Sequence, residues 1–294
     1  MQDDERLAQQ FEEHRPLLRA VAYRMLGSLT DAEDAIQNAW LRFNQTDTDT
    51  IDNLSGWLTT VIGRECLHLL RAGRRRREDL LDPVTQLPDP IVTTVEDDPE
   101  QQAVRADSVS LALLVVLDSL NPAERLAFVL HDIFDVPFDE IAPLVEHTPA
   151  ATRQLASRAR RRVRDHRPPM PDRDPGRQRE VVEAFYAAVN AGNFAALLEM
   201  LAPDAVFHAD NGPDRPSKAY RGAETIARQS HAARGADLQP VMVNGLPGVV
   251  AFRDERPISL MAFTVVAGRI VALYGIRDPE RVLRLTAGII RSGH

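Results

Sequence analysis

Apolar residues recur at helical spacing through the first 77 positions. Three stretches carry the pattern: LAQQFEEHRPLLRAVAYRML, LTDAEDAIQNAWLRFN and LSGWLTTVIGRECLHLLRAGRRRR. Ala35, Ala39, Trp40 and Phe43 fall on one side of the second, and Trp57, Leu58, Val61, Ile62 and Leu69 on one side of the third, so each reads as an amphipathic helix facing a common core. Thr30 is placed to cap the second helix, with Glu33 three residues on completing a capping box. Residues 78–100 interrupt the period with four prolines and read as an acidic linker. Residues 101–167 return to helical spacing, and RPPMPDRDPG, Arg167 to Gly176, reads as a second linker.

Past Gly176 the period changes. RQREVVEAFYAAVNAG and NFAALLEMLA predict two helices with Gly192 as the stop between them, and GAETIARQSHAAR a third. AVFHA, LQPVMVNG, GVVAFRD, PISLMAFTVVAG and RIVALYGIRD are strand-like. Helices followed by a four- or five-stranded antiparallel run predict an α+β domain. The expected chain is multidomain: two all-α segments at 1–77 and 101–167, linkers at 78–100 and 168–177, and an α+β segment at 178–294.

One stretch carries more than fold. Phe138, Ile141, Ala142 and Val145 form a short apolar stripe, Thr148-Pro149 supplies a cap and a first-turn proline, and Ala151, Leu155, Ala159 and Val163 line the next helix. Arg153, Ser157, Arg160 and Arg164 project from its opposite side, with Gln154 and Arg161 on the flank. A solvated arginine-rich helix would show the same outer face. The preceding stripe, the turn length and the cap favour a helix-turn-helix, in which Thr152, Arg153 and Gln154 reach base edges and the later arginines sit over phosphates. Glu146 stands where glycine would most cheaply turn the chain, and Pro143 lies inside the first helix.

Charge sharpens this picture. The net charge is −8, yet Arg71–Arg77 reads RAGRRRR, and Arg153–Arg167 holds seven arginines against Asp165. Nine acids lie between Glu78 and Asp107. Lys218 is the single lysine, so the basic patches are guanidinium forks suited to phosphate and guanine. Cys66 is the one cysteine, which excludes an internal disulfide and a multi-cysteine zinc site. No apolar run is long enough to span a bilayer, and the charged start MQDDERLAQQFEEHR is unlike a signal peptide, so a cytoplasmic location is expected.

Residues 5–167 resemble the extracytoplasmic-function sigma factors of bacterial RNA polymerase. YRMLGSLTDAEDAIQNAWLRF is similar to the family's region 2.1–2.2, WLTTVIGRECLHLLRAGRRRR to region 2.3–2.4, and LDSLNPAERLAFVLHDIFDVPFDEIAPLVEHTPAATRQLASRARRRV to region 4. The resemblance implies that Asp31, Glu33, Asp34, Gln37 and Asn38 meet core polymerase, through its β and β′ subunits. It implies that Thr46, Asp47, Thr48 and Asp49 pocket a flipped base of the melted −10 element, with Arg71, Arg74, Arg75, Arg76 and Arg77 on nearby phosphates. Thr152, Arg153, Gln154, Ser157, Arg160, Arg161 and Arg164 fall to the −35 element. Trp57 reads as core rather than as a stacking platform.

Residues 178–285 resemble a SnoaL-like domain of the NTF2-like cone fold, whose members include isomerases, cyclases and plain binding modules. Tyr186, His208, Tyr220, His231 and Tyr274 are candidate pocket residues. His208 and Asp210, two apart on one strand, could form an acid–base pair, although such pairs are more often ordinary polar residues at a sheet end. A sigma factor carrying this extension resembles the sigma-J subgroup. Gln86-Leu87-Pro88-Asp89-Pro90, Asp210-Asn211-Gly212-Pro213 and Asp278-Pro279-Glu280-Arg281-Val282 stand where that subgroup has its linker, turn and closing motifs. The resemblance implies a regulatory contact through Leu87, Pro88, Asp210, Gly212, Asp278, Pro279, Glu280 and Arg281. The expectation is an alternative sigma factor with no catalysis, metal or cofactor of its own, bound to core polymerase and promoter DNA, with an unidentified small ligand as a further candidate partner. A ligand-sensing one-component regulator and a SnoaL-type enzyme tethered to DNA are the alternatives.

Overall fold

The computed structural model describes residues 2–47, 51–78, 86–95, 109–166, 170–172, 174–213, 215–230, 233–287 and 289. The chain divides into two compact units, residues 1–83 with 113–167, and residues 84–112 with 168–294. The two helical segments thus pack as one unit, and the described linker residues belong with the α+β segment.

The first unit opens with α1 (Gln2–Leu26), α2 (Leu29–Phe43) and α3 (Leu54–Glu78). Leu18, Val21 and Met25 of α1, Ile36, Ala39 and Phe43 of α2, and Leu58, Ile62 and Cys66 of α3 are buried together. This is the core that the apolar periodicity predicts. The cap of α2 lies two residues earlier than expected: Ser28 is extended, and its hydroxyl accepts the Asp31 N–H at 3.3 Å. Gly27, at φ 69°, ends α1 abruptly and leaves Ser28 rather than Thr30 at the helix start.

α4 (Leu111–Asp118), α5 (Pro122–Phe128) and a π-helical turn (Val129–Ile133) lead to α6 (Phe138–Val145) and α7 (Pro149–His166). Asn121 caps α5, accepting the Glu124 N–H at 2.8 Å. Gly63 lets α3 approach this layer closely: a Cβ there would lie 3.2 Å from Leu130 and 3.3 Å from Leu126. Arg125, 2% exposed, donates to the Arg24 carbonyl at 3.2 Å and pairs with Asp118 at 3.2 Å, a buried cation that anchors the layer.

The second unit holds β1 (Val92–Thr93), α8 (Pro175–Ala191), α9 (Phe194–Met200), β2 (Leu201–Asp210), β3 (Lys218–Arg221), α10 (Ala223–Ser230), β4 (Asp237–Val243), β5 (Leu246–Arg253), β6 (Arg256–Val266), β7 (Arg269–Ile276) and α11 (Pro279–Leu285). Its sheet has seven strands in the order β1-β4-β5-β6-β7-β2-β3. Two exceed the five read from the pattern, because β1 and β3 are too short to show a period. β2 lies parallel to β7, and all other pairs are antiparallel. Gly192, at φ 67°, stops α8 as expected. Phe185, Tyr186, Phe207, Phe263 and Leu273 form the core between the helices and one face of the sheet.

Candidate functional site

The helix-turn-helix is built from local rules. α6 ends on Glu146 in the left-handed region, φ 60° and ψ 40°, whose N–H bonds the Ala142 carbonyl. That is the turn glycine would take more cheaply. The Thr148 hydroxyl then accepts the Ala151 N–H at 3.2 Å, and Pro149 opens α7. Leu155, Ala156 and Ala159 face inward.

On the outer face Arg153, Gln154, Ser157, Arg160, Arg161 and Arg164 are all exposed. Thr152 is not. It is fully buried and its hydroxyl donates to the Thr148 carbonyl at 3.0 Å, so the expectation that it reaches a base edge is corrected. It shares the inward side with Leu155 and Ala156. Arg153 lies over the Phe138 ring at 5.2 Å, and Arg160 pairs with Asp132 at 2.7 Å. Arg158 and Arg162 converge on the buried Glu124 at 2.9 and 3.2 Å and hold α7 to α5.

On α2, Asp31, Asp34, Gln37 and Asn38 are exposed, whereas Glu33 is half-buried between Arg15 and Arg19, each at 2.9 Å. Trp57 is half-buried, its ring 5.9 Å from that of Phe43. Thr46 donates to the Arg42 carbonyl at 2.8 Å, and Asp47 is exposed; Thr48 and Asp49 lie outside the described residues. Arg71 pairs with Glu146 at 3.4 Å and Arg74 is exposed. Arg75, Arg76 and Arg77 continue α3, with side chains outside the described residues.

In the second unit the strand alternation separates the predicted pocket residues. Phe207 pairs with Tyr220 and the two rings stack at 5.8 Å; Tyr186 packs edge-on against Phe263 at 5.7 Å on the same helix-covered side. His208 points the other way and stacks on Tyr274 at 5.2 Å. Tyr186, Tyr220, His208 and Tyr274 therefore do not line one pocket, and His231 lies outside the described residues. Burial, then the charge of Arg221, lowers the His208 pKa, and burial pushes the Tyr274 phenol up to about 12. Arg277 covers the Phe207 ring at 5.1 Å, and burial lowers its pKa. Among the described residues no cluster could hold a metal ion.

Asp210 shares the His208 face but is already engaged. Fully buried, it accepts the Leu87 N–H at 2.7 Å, the Gly212 N–H at 3.0 Å and the Arg281 guanidinium at 2.6 Å. Arg281 also donates to the Leu87 carbonyl and to Asp89 at 2.6 Å. Asp278 caps α11 by accepting the Glu280 and Arg281 N–H groups, with Pro279 in the first turn, and this aims the Arg281 side chain. Gly212, at φ 85°, passes close to Asp278, where a Cβ would lie 3.1 Å away. Leu87, Asp210, Gly212, Asp278 and Arg281 thus gather in one buried cluster, with Pro88 beside them in the chain.

Two residues of this clamp escaped sequence reasoning. Asp89 stands in the first linker, and nothing local in the sequence shows that it pairs with Arg281. Asn244, at φ 49° in the β4–β5 turn and 2% exposed, accepts the Ile91 N–H at 2.6 Å, donates its own N–H to the Ile91 carbonyl at 2.8 Å and donates its side-chain amide to the Val109 carbonyl at 2.9 Å. Asn244-Gly245 is a hairpin signal, but nothing local shows that its side chain binds the linker. β1 continues the contact, with Val92 opposite Val243 and Thr93 opposite Met242.

Comparison with known proteins agrees with this layout. Sigma-70 region 2 matches residues 10–76, Sigma-70 region 4 matches 110–163, and a SnoaL-like domain matches 182–278. The chain is 39% identical over 292 residues to the ECF RNA polymerase sigma factor SigJ of Mycobacterium tuberculosis, covering 92% of each. It is 34% identical over 279 residues to the probable ECF sigma factor SigI of that organism, covering 93% of this chain and 94% of that one. The crystal structure of Mycobacterium tuberculosis SigJ aligns at a TM-score of 0.73 and 34% identity, over 96% of this chain and 100% of the other. The chain belongs to the extracytoplasmic-function RNA polymerase sigma factors, and its function is that of an alternative sigma factor in promoter-specific transcription initiation.

Proposed function

We propose that the SnoaL-like unit of this sigma factor regulates it by holding the first linker. The carrying observation is the buried Asp210–Arg281 pair closed around the Leu87 backbone, with Asn244 gripping Ile91 and Val109. A linker bound as an added strand is withheld from polymerase until the clamp opens. In the first unit, Arg153, Gln154 and Ser157 read −35 base edges while Arg160, Arg161 and Arg164 neutralise phosphate. Asp31, Asp34, Gln37 and Asn38 dock on core polymerase, and the 44–53 loop with Arg71 and Arg74 engages the melted −10 strand. The protein acts in the cytoplasm, where polymerase and promoter are; among the described residues no helix is long and apolar enough to cross a membrane. This reading requires no chemistry by the chain.

The test compares the intact chain with its Arg281→Ala variant for affinity to purified core polymerase and for run-off transcription. Tighter binding or higher output from the variant supports a clamp that restrains activity. Unchanged affinity and output in a variant whose linker is released would reject it.

A further inference from the structure

A cavity of about 200 Å³ lies between α8 and the β4–β5 hairpin, and neither the linker clamp nor the DNA-binding helices use it. Helical and strand periods both build it. Arg179, Glu183, Tyr186 and Asn190 recur three or four residues apart on one side of α8, while Leu238, Pro240 and Met242 alternate along β4. Val95 of the linker supplies a further wall. At protein packing density the space suits roughly ten non-hydrogen atoms, less than a drug-sized ligand needs.

The lining defines the chemistry of an occupant. Val182, Leu238, Met242 and Val249 offer apolar surface. Arg179 and Glu183, one turn apart, carry opposite charges, so the rim selects no net charge. Tyr186 lines the cavity, and burial raises its pKa against the opposing charge of Arg277, so its hydroxyl stays protonated and able to donate. Asn190 adds an amide at the exposed rim.

The linker shares this site. Met242 lines the cavity and pairs with Thr93 of β1, and Val95 stands two residues further along. A molecule held here touches the sheet and the docked linker at once, and must bind the docked state better than the released one.

We infer that this cavity binds a small uncharged molecule, an apolar body with one hydrogen-bonding end, whose occupancy keeps β1 on the edge of β4. The inference rests on the clamp reading and names the signal that acts on it.

The full-length chain is titrated with 2-naphthol, followed by its fluorescence, while amide exchange is read at Ile91 and Leu87. The expected result is saturable one-to-one binding. At ten times the dissociation constant, exchange at Ile91 slows by about tenfold if the probe binds only the docked state. Ala187→Leu, at an exposed α8 position facing the cavity, weakens binding at least about tenfold by occupying roughly the volume of a side chain; Leu238→Phe does the same from the sheet side.

Absent saturation, affinity in both filled variants equal to that of the unsubstituted chain, or binding with no change at Ile91 each overturns the inference. So does a dimer in sedimentation that Ala187→Leu dissociates, since a second copy would then be the occupant. If Arg281→Ala accelerates Ile91 exchange while 2-naphthol leaves it unchanged, this inference fails and the clamp stands.

Discussion

Replacing Arg281 by alanine removes the cation paired with the fully buried Asp210 carboxylate. Arg281 is 7% exposed and Asp210 is 0% exposed, with 2.6 Å between guanidinium and carboxylate. Breaking a buried pair from one side destabilises by about 3–5 kcal/mol, because the remaining charge is left without its partner. Asp210 keeps the Leu87 and Gly212 N–H donors, which hold the expected loss to the lower end, about 3 kcal/mol. At roughly 2–4 °C per kcal/mol for a unit of this size, the melting temperature of the second unit falls by on the order of 10 °C.

Urea unfolding of the variant measures that loss, and amide exchange at Leu87 and Ile91 shows where it falls. A cycle with Asp210→Asn isolates the pair: the double variant is less damaged than the two single losses added, by about 2 kcal/mol. The reasoning is refuted if Arg281→Ala costs under about 0.5 kcal/mol and leaves both amides protected, since the pair would then not hold the linker.

Three further outcomes follow from other parts of the molecule. Glu146→Gly relieves a left-handed residue at about 1 kcal/mol and loses only an exposed pair to Arg71, so the urea midpoint rises by the equivalent of about 0.5 kcal/mol. Arg161→Ala and Arg164→Ala each flatten the plot of log affinity against log salt for −35 duplex by about 0.9, whereas Thr152→Ala lowers stability by about 1 kcal/mol and leaves promoter discrimination unchanged. His208 has its pKa lowered by burial, so the folded state binds its proton less readily than the unfolded chain does. Its contribution is complete above about pH 6.5 and declines as pH falls from there toward the folded value, and His208→Phe, which keeps the stack on Tyr274, reduces the fall in urea midpoint between pH 7.5 and 5.5.

Much of the fold was legible because its causes are local. The apolar stripes on α2 and α3, the Thr148-Pro149 start of α7 and the Gly192 stop each act within a turn or two. The strand runs β2 and β4 to β7 showed their period, whereas β3 had no apolar alternation and β1 only two residues to show one. The cap of α2 moved to Ser28 because Gly27 ended the preceding helix, a matter of which candidate the backbone reaches first.

The amino-acid order by itself determined the segment sequence, the amphipathic faces and the basic outer surface of α7. Tertiary structure alone decided that Thr152 is inside, that His208 and Tyr220 face opposite sides of the sheet, and that Asp210 holds a linker residue 123 positions earlier in the chain. The physical reason is range. Helical period, caps and turn preferences depend on neighbours in the chain, while the partner of a buried charge depends on which distant backbone the sheet brings beside it.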